Sequence, residues 1–427
     1  MSIICGTDFS SASLGALDVA IALARLRGDR EVVLVHVAAD NAKPQVLEKS
    51  RRELDAQASS RSDAGIAIRA ELVAGPVDET LANFADTEAS DLIVITARSS
   101  RPSTKAIGAD DPVAGRLGST SSQVITNTRV PVIVVRDPAP WLAFAKRERP
   151  LRMLVGIDDS AVCDLGIQWT HHLRSLGPVE VVLGAVYYPD DAADHYGLNR
   201  KGMVDRDPEI ERVMARDLLR RFGGPSSASA TEVTAKPRRG LGRIGDHMVE
   251  LANEEKVDVI LVGTGQKTGL GSVSSVIVTD APQSVVCVPP QAQIPTVVIP
   301  VLRAALVATD LSQFANRAIP YAFAATEPDA EIHIVHIVDE DDEVDVEEIR
   351  RQLYALAPAG AKQKVTAHVI HGDDAAKTIA QAAARLGVDL IAICSHGRSG
   401  ITRALVGSVA DRLLRATRLP VLVLRPA

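Results

Sequence analysis

The stretch VDLIAICSHGRSGITRALVGSVADRLLRATRLPVLVLRP, residues 388–426, joins two apolar runs through a glycine-spaced loop, a Gly-Ser pair and a short helical pattern. Apolar runs without polar alternation are strands buried on both faces, as a parallel sheet covered by helices requires. In such sheets ligands bind outside the carboxyl ends of the strands, where the strand order reverses. The loop from Cys394 to Ser408 stands at such an end.

Its surroundings recur. IICGTDFSSAS begins at Ile3, MLVGIDDSAVC at Met153 and ALVATDLSQFA at Ala305. Each reads as a strand ending in an acid (Asp8, Asp158, Asp310), with Ser10, Ser160 or Ser312 two places on. A second phrase follows each, SDLIVITA from Ser90, VDVILVGT from Val257 and VDLIAICS from Val388. A third closes each unit, RVPVIVVRDP from Arg129, APQSVVCVPP from Ala281 and RLPVLVLRPA from Arg418. Asp158 lies 150 positions after Asp8, and Asp310 lies 152 after Asp158. A repeat of that length is a domain, not a solenoid unit.

Within the third copy, strand and helix patterns alternate. QFANRAIPYAFAAT (313–326) has helical spacing with a kink expected at Pro320, and DAAKTIAQAAARLG (374–387) is an Ala-rich helix stopped by Gly387. Five βα units per copy predict an α/β chain of three tandem, doubly wound, five-strand parallel-sheet domains of the Rossmann-like or flavodoxin-like kind. The domains are placed at 1–138, 150–290 and 300–427, with proline-containing linkers near 137–150 and 291–300.

The 427 residues are 46% hydrophobic and 24% charged, ordinary for a globular protein that needs several cores. A formal charge of −7 argues against nucleic acid as a partner. No apolar run approaches the roughly 20 residues that span a bilayer, and the N-terminal MSIICGTDFSSAS lacks the features of a signal peptide. The four cysteines are scattered with no CxxC spacing, which fits a reducing cytoplasm. With aromatics at 3%, a base-binding pocket would rest on aliphatic walls and backbone groups.

The chemistry of the 394–408 loop suits a nucleotide. Gly397 permits close approach of backbone N–H groups to an anion. Gly407-Ser408 stands where a helix begins, and its N–H groups and dipole favour phosphate. Arg398 and Arg403 offer positive charge. Asp310 would repel phosphate but suits a ribose hydroxyl or an adenine amino group. Glycine at a strand end and serine at a helix start are equally the ordinary chemistry of turns.

These residues resemble the universal stress protein family over nearly the whole chain, most closely in the third copy. The resemblance implies the five-strand α/β fold. In ATP-binding members it implies a G-x2-G-x9-G-S/T run after the fourth strand. Here Gly397, nine residues and Gly407-Ser408 match the later part, and Cys394 stands at the first glycine position. By the same resemblance Thr309, Asp310 and Ile337 fall on base-contacting positions. Arg398, Ser408 and Val409 complete the expected contact set. The second copy keeps Gly263 but has Gln266 and a shortened path to Gly271-Ser272. The first has Thr96 and Ser99 and a lengthened path to Gly118-Ser119. Nucleotide binding is therefore expected in the third domain.

Other signals point less far. GLGRIG (240–245) spells GxGxxG but lies between a third strand and a third helix, where it reads as a flexible turn before an N-cap at Asp246. His171-His172 falls on a helix, where adjacent side chains diverge. His36 and His336, near the ends of second strands, read as structural. His396 is read as packing or hydrogen-bonding its turn. DEDDEVDVEE (339–348) reads as a solvated loop with an acidic first helical turn. Cys394 reads as a small residue ending a strand rather than a reactive thiol. No catalytic constellation or metal set is found.

The expected protein is a cytoplasmic, ATP-responsive stress regulator, with Mg2+ as a candidate companion of the nucleotide, and not an enzyme. Its closing strands PVIVV, SVVCV and PVLVL are natural edges, and the resemblance implies dimerisation through them. Two of the three domains can pair within the chain, which leaves the third to form a homodimer. The rivals are an interaction protein without nucleotide and a weak ATPase.

Overall fold

The computed structural model describes residues 2–97, 119–158, 160–198, 207–223, 232–265, 272–294, 301–395 and 408–425. The chain divides into two units. One holds Met1–Val186 and Pro225–Val298, the other Tyr187–Gly224 and Ile299–Ala427.

The first unit is built on one ten-stranded sheet. The first repeat contributes β1 (Ile3–Gly6), α1 (Ser11–Arg27), β2 (Glu31–Ala38), α2 (Pro44–Ser59), β3 (Ala67–Ala74), α3 (Val77–Thr87), β4 (Leu92–Thr96), α4 (Ser119–Asn127) and β5 (Val132–Val135). After α5 (Ala139–Ala145) come β6 (Leu151–Gly156), α6 (Ala161–Leu176) and β7 (Val179–Tyr187) of the second repeat. Two helices of the other unit follow, α7 (Pro189–His195) and α8 (Pro208–Phe222). The chain then returns through β8 (Val233–Arg239), α9 (Ile244–Glu254), β9 (Val259–Gly263), α10 (Ser272–Asp280) and β10 (Ser284–Val288).

The strand order is β3-β2-β1-β4-β5-β10-β9-β6-β7-β8. The pairs β1–β2, β2–β3, β1–β4, β4–β5, β6–β7, β6–β9 and β9–β10 are parallel, and each parallel step is made through a helix, because two parallel strands cannot be joined by a tight turn. Ile3, Ile4 and Cys5 on one side of the sheet and Val285, Val286 and Cys287 on the other are fully buried, as strands covered on both faces must be. The two repeats meet at β5 and β10, which run antiparallel with Val134 opposite Val285 and Val132 opposite Cys287. Arg136 closes the seam: its N–H donates to Ser284 Oγ at 3.1 Å and its Nη2 to the Val278 carbonyl at 2.6 Å.

The second unit carries the third repeat. Its elements are β11 (Ala304–Ala308), α11 (Ala318–Ala325), β12 (Glu331–Val338), α12 (Val346–Ala355), β13 (Lys364–His371), α13 (Ala375–Leu386), β14 (Leu390–Cys394), α14 (Ser408–Ala416) and β15 (Val421–Leu424). The order is β13-β12-β11-β14-β15, parallel throughout. Ala318, Ile319 and Leu353 from α11 and α12 pack on one face against Ile332 and Ile334. Ile379, Ala383 and Leu413 from α13 and α14 pack on the other against Val335 and Ile391. Asp389, just before β14, accepts the Arg303 and Ala304 N–H groups at 2.8 and 2.9 Å and so pins the start of β11 beside β14.

The α/β fold of parallel-dominated sheets agrees with the sequence, with local corrections. The expected kink at Pro320 is replaced by a later start. Residues Ala315–Arg317 form a 3₁₀ turn and α11 begins at Ala318, so Pro320 sits in the first turn, where its missing N–H costs no bond. The stretch read as the linker 137–150 contains α5, whose Trp141 and Phe144 are buried. Before α9 the cap position is Arg243, and Asp246 lies inside the first turn.

His333 on β12 is buried, with its Nδ1 3.0 Å from His368 Nε2 on β13. Burial, and then the neighbouring imidazole, push the pKa of His333 down to about 4, and burial lowers that of His368 too. A lowered folded pKa means the unfolded chain takes up protons that the folded unit refuses, so stability is full above about pH 6.5 and falls as pH drops toward about 4. The unit holding the third repeat is therefore expected to lose urea stability between pH 7 and 4. Both tryptophans, Trp141 and Trp169, lie in the first unit. The loss should thus appear in far-UV circular dichroism without a matching tryptophan fluorescence change. The double substitution His333→Gln, His368→Gln should flatten the dependence, and an unchanged slope would refute the assignment.

Candidate functional site

β11 and β14 are neighbours at the point where the strand order of the third repeat reverses. Thr309 and Asp310 follow the end of β11, and Cys394 ends β14. The two strand ends come within electrostatic reach. The Cys394 thiol is held above its ordinary pKa first by burial and also by the Asp310 carboxylate, opposed by a hydrogen bond from the backbone of Ala318 and by Arg317. A raised thiol pKa keeps the sulfur protonated, as suits a small strand-end residue.

A buried hydroxyl fixes the turn after β11. Thr309, 5% exposed, donates from Oγ1 to Asn316 Oδ1 at 2.6 Å and accepts the Leu311 N–H at 3.0 Å. Its backbone N–H donates to the Val335 carbonyl at 2.9 Å, and its own carbonyl lies 2.8 Å from His336 Nδ1. Leu311 is held at φ 65°, a conformation that costs a branched side chain energy and recurs where function fixes a backbone. Asp310 is exposed, and one carboxylate oxygen accepts the Ser312 N–H at 2.9 Å. Its side chain is thus oriented by the turn and presented to solvent.

The first repeat builds the same turn with other partners. Thr7 Oγ1 donates to Gln57 Oε1 at 2.7 Å and lies 3.0 Å from Ser13 Oγ. Phe9 sits at φ 65°, with its ring 4.2 Å from that of His36, and His36 Nδ1 lies 2.8 Å from the Thr7 carbonyl. The second repeat departs. Ile157 replaces the threonine, and Cys163 Sγ approaches Asp158 Oδ1 at 3.0 Å. Burial and then this carboxylate push the Cys163 thiol up to about 11, so it remains a proton donor to Asp158.

Ile337 lies in β12, partly buried, one residue beyond His336. Ser408 and Val409 are the first, exposed residues of α14. Gly397, Arg398 and Gly407 lie outside the described residues, as do Arg403 and His396. So do Ser99 and Gly118 of the first repeat and Gln266 and Gly271 of the second. Reading the sequence missed Asn316, Leu311 and Ala318, which orient Thr309 and Cys394. The signal for Leu311 was present: Phe9 and Leu311 occupy the same place in the repeated T-D-x-S phrase.

GLGRIG is a largely exposed segment, anchored at its two ends, that leads into α9. His247 Nε2 lies 2.8 Å from the Leu241 N and 2.7 Å from its O. A Cβ on Gly245 would come within 2.6 Å of Val276, so this glycine lets α9 and α10 approach. The acidic residues of the loop before α12 are exposed, and Asp345, at its end, caps α12 by accepting the Glu347 and Glu348 N–H groups. Among the described residues no group of three or more His, Cys, Asp or Glu is placed to hold a metal.

The model of the universal stress protein family matches residues 1–136, 151–289 and 302–425. A solved universal stress protein from Archaeoglobus fulgidus DSM 4304 is 18% identical over 67% of this chain and 96% of its own, with a TM-score of 0.47. Another from Archaeoglobus fulgidus is 27% identical over 31% of this chain and 96% of its own, with a TM-score of 0.26. A universal stress protein solved in complex with cAMP is 21% identical over 30% of this chain and 99% of its own, with a TM-score of 0.26. No protein of curated function matches the chain. No described helix is long and apolar enough to cross a membrane.

The turn separates two roles that substitution can resolve. Thr309→Val removes a buried hydroxyl and strands Asn316 Oδ1 and the Leu311 N–H, at an expected cost of about 1–3 kcal/mol in denaturant unfolding. Asp310→Ala removes an exposed carboxylate that accepts the Ser312 N–H, and is expected to cost less than about 1 kcal/mol. Equal costs would mean that Asp310 serves the fold rather than a ligand.

Proposed function

This chain belongs to the universal stress protein family, present here as three copies of its domain, and from that premise we propose that it is an adenine-nucleotide-binding regulator of the stress response. The observation that supports the reading is an exposed, turn-oriented Asp310 within electrostatic reach of Cys394 at the end of β14, on the one copy whose sequence keeps Gly397 and Gly407-Ser408. Thr309, Asp310 and Ile337 take the base and ribose. Cys394, Gly397, Arg398, Gly407, Ser408 and Val409 take the phosphates, with Mg2+ as their companion. The nucleotide is ATP, the compartment is the cytoplasm, and the activity is binding rather than turnover.

The domains of this reading are 1–138, 150–290 and 300–427. Assembly supplies the output. Within the first unit, β5 and β10 cover each other. In the third repeat β15 is the corresponding last strand of its sheet, and its four residues are only half-buried. The Pro420 and Leu424 carbonyls accept from Ile391 of β14 and from Ser395 just beyond it, so by strand alternation Val421 and Val423 turn their backbone groups to the outer edge. That edge pairs with β15 of a second copy, and nucleotide shifts the population of the pair.

Two measurements test this reading. Protein purified without dialysis, denatured and chromatographed, is expected to release adenine nucleotide, and the Gly407→Val and Asp310→Ala variants are expected to release little. No nucleotide in any preparation, and none bound on adding ATP, would leave a protein that works by assembly alone. Separately, Val423→Pro deletes one outward N–H, and in analytical ultracentrifugation it is expected to turn a dimer into a monomer. A dimer that survives places the contact elsewhere.

A further inference from the structure

We infer that α7 and α8 of the second repeat, within residues 187–198 and 207–223, form a clamp on α13, and that the docking of this clamp is energetically coupled to nucleotide occupancy of the third repeat. The inference rests on the nucleotide reading above and adds the regulation of that site.

In the first and third repeats the helix after the second strand lies on its own sheet, α2 against β2 and β3 and α12 against β12 and β13. In the second repeat this position holds two helices, α7 and α8, which belong with the third repeat. Tyr187, Ala192, Ala193, Tyr196, Ile210 and Val213 form their own buried cluster, and Ala384 of α13 packs against it. Tyr187 Oη donates to Glu211 at 3.0 Å and ties the start of the arm to α8.

The polar contacts form one stripe. Lys377, Gln381 and Arg385 recur every four residues on α13 and so share a face. Lys377 Nζ lies 2.7 Å from Asp194 Oδ1, Gln381 Nε2 donates to the Asp194 carbonyl at 2.6 Å, and Arg385 donates to the Gly197 carbonyl at 3.4 Å. Basic and donor side chains thus meet the carbonyl end of α7, where the helix dipole is negative. Arg216 of α8 donates in return to the Arg385 carbonyl. The approach is close. Gly197 and Gly387 both have positive φ, and a Cβ on either would come within 3.0 Å of Gln381 or 2.9 Å of Arg216.

The opposite face of α13 serves the site. Ala376, Ile379, Ala382 and Ala383 pack with Ile391 and Ile393 of β14 and with Ala410 and Leu413 of α14. Arg412 of α14 lies 3.1 Å from Asp374, the residue that caps α13. One helix therefore touches the strand that ends at Cys394 and the helix that starts at Ser408, and the arm grips its far side. A ligand that shifts β14 against α14 changes the fit of α13 to the arm, and by linkage the arm changes ligand affinity by the same factor.

The test uses the full chain with ATP as the probe. Lys377→Glu with Gln381→Glu replaces two donors by like charge facing Asp194. Hydrogen exchange of residues 189–195 is expected to rise at least tenfold, and the Kd for ATP by calorimetry to move roughly fivefold or more. In the unaltered chain, saturating ATP is expected to change exchange in the same residues. A loosened arm with unchanged Kd overturns the coupling and leaves the nucleotide reading standing. No ATP binding by the unaltered chain overturns both. If the double variant keeps its arm protected, a Gly197→Cys, Gln381→Cys disulfide gives the decisive comparison, because a Cβ on Gly197 would lie 3.0 Å from that of Gln381. Equal ATP affinity in its oxidised and reduced forms overturns the coupling.

Discussion

A strand at the edge of a sheet must satisfy its outward N–H and C=O groups, and this requirement organises the first unit. Each repeat ends on a strand of four or five residues whose inner side pairs with the strand before it. β5 and β10 meet that requirement together, and the buried valines on either side of the seam make ten strands one sheet. The third repeat ends on the same kind of strand, only half-buried. Three copies of a domain with one such strand give one satisfied pair and one strand, β15, that stands last in its sheet.

The sheet was legible in the sequence because burial on both faces leaves a strong mark. Runs such as VDVILVGT and VDLIAICS carry no polar alternation, and the triple recurrence of each phrase fixes where strands stand in each copy. The departures have local causes. At Pro320 the helical spacing was real, but the ring needs a position with no N–H bond, and the helix moved its start to provide one. Trp141 and Phe144 were read as linker because proline flanks them, whereas their burial depends on surfaces distant in sequence. The removal of α7 and α8 to the other unit left no mark of its own, since an amphipathic helix shows which face is apolar but not which surface covers it.

The candidate site was legible in its chemistry more than in its mechanics. Repetition singled out Asp310, and topology brought it to the end of β14. The hidden part is how the acid is held. Thr309 and Asn316 are seven positions apart and carry no motif, yet their hydrogen bond fixes the turn. The repeats diverge in this hidden part. Ile157 removes the hydroxyl from the second copy, and Cys163 places a thiol on its acid, although the phrase itself reads almost unchanged.

The arm also imposes an order of events during synthesis. Asp194 and its partner Lys377 are 183 positions apart, and the arm leaves the ribosome first. At roughly 5–20 residues per second it waits on the order of 10–40 s for the helix that covers it. Through that interval the apolar side of Tyr196, Ile210 and Val213 that faces Ala384 has no counterpart. The first sheet can close without the third repeat, but the second unit cannot be completed until nearly the whole chain exists. A chain arrested before α13 would therefore carry an uncovered hydrophobic face, the kind of surface that chaperones and proteases recognise as unfinished.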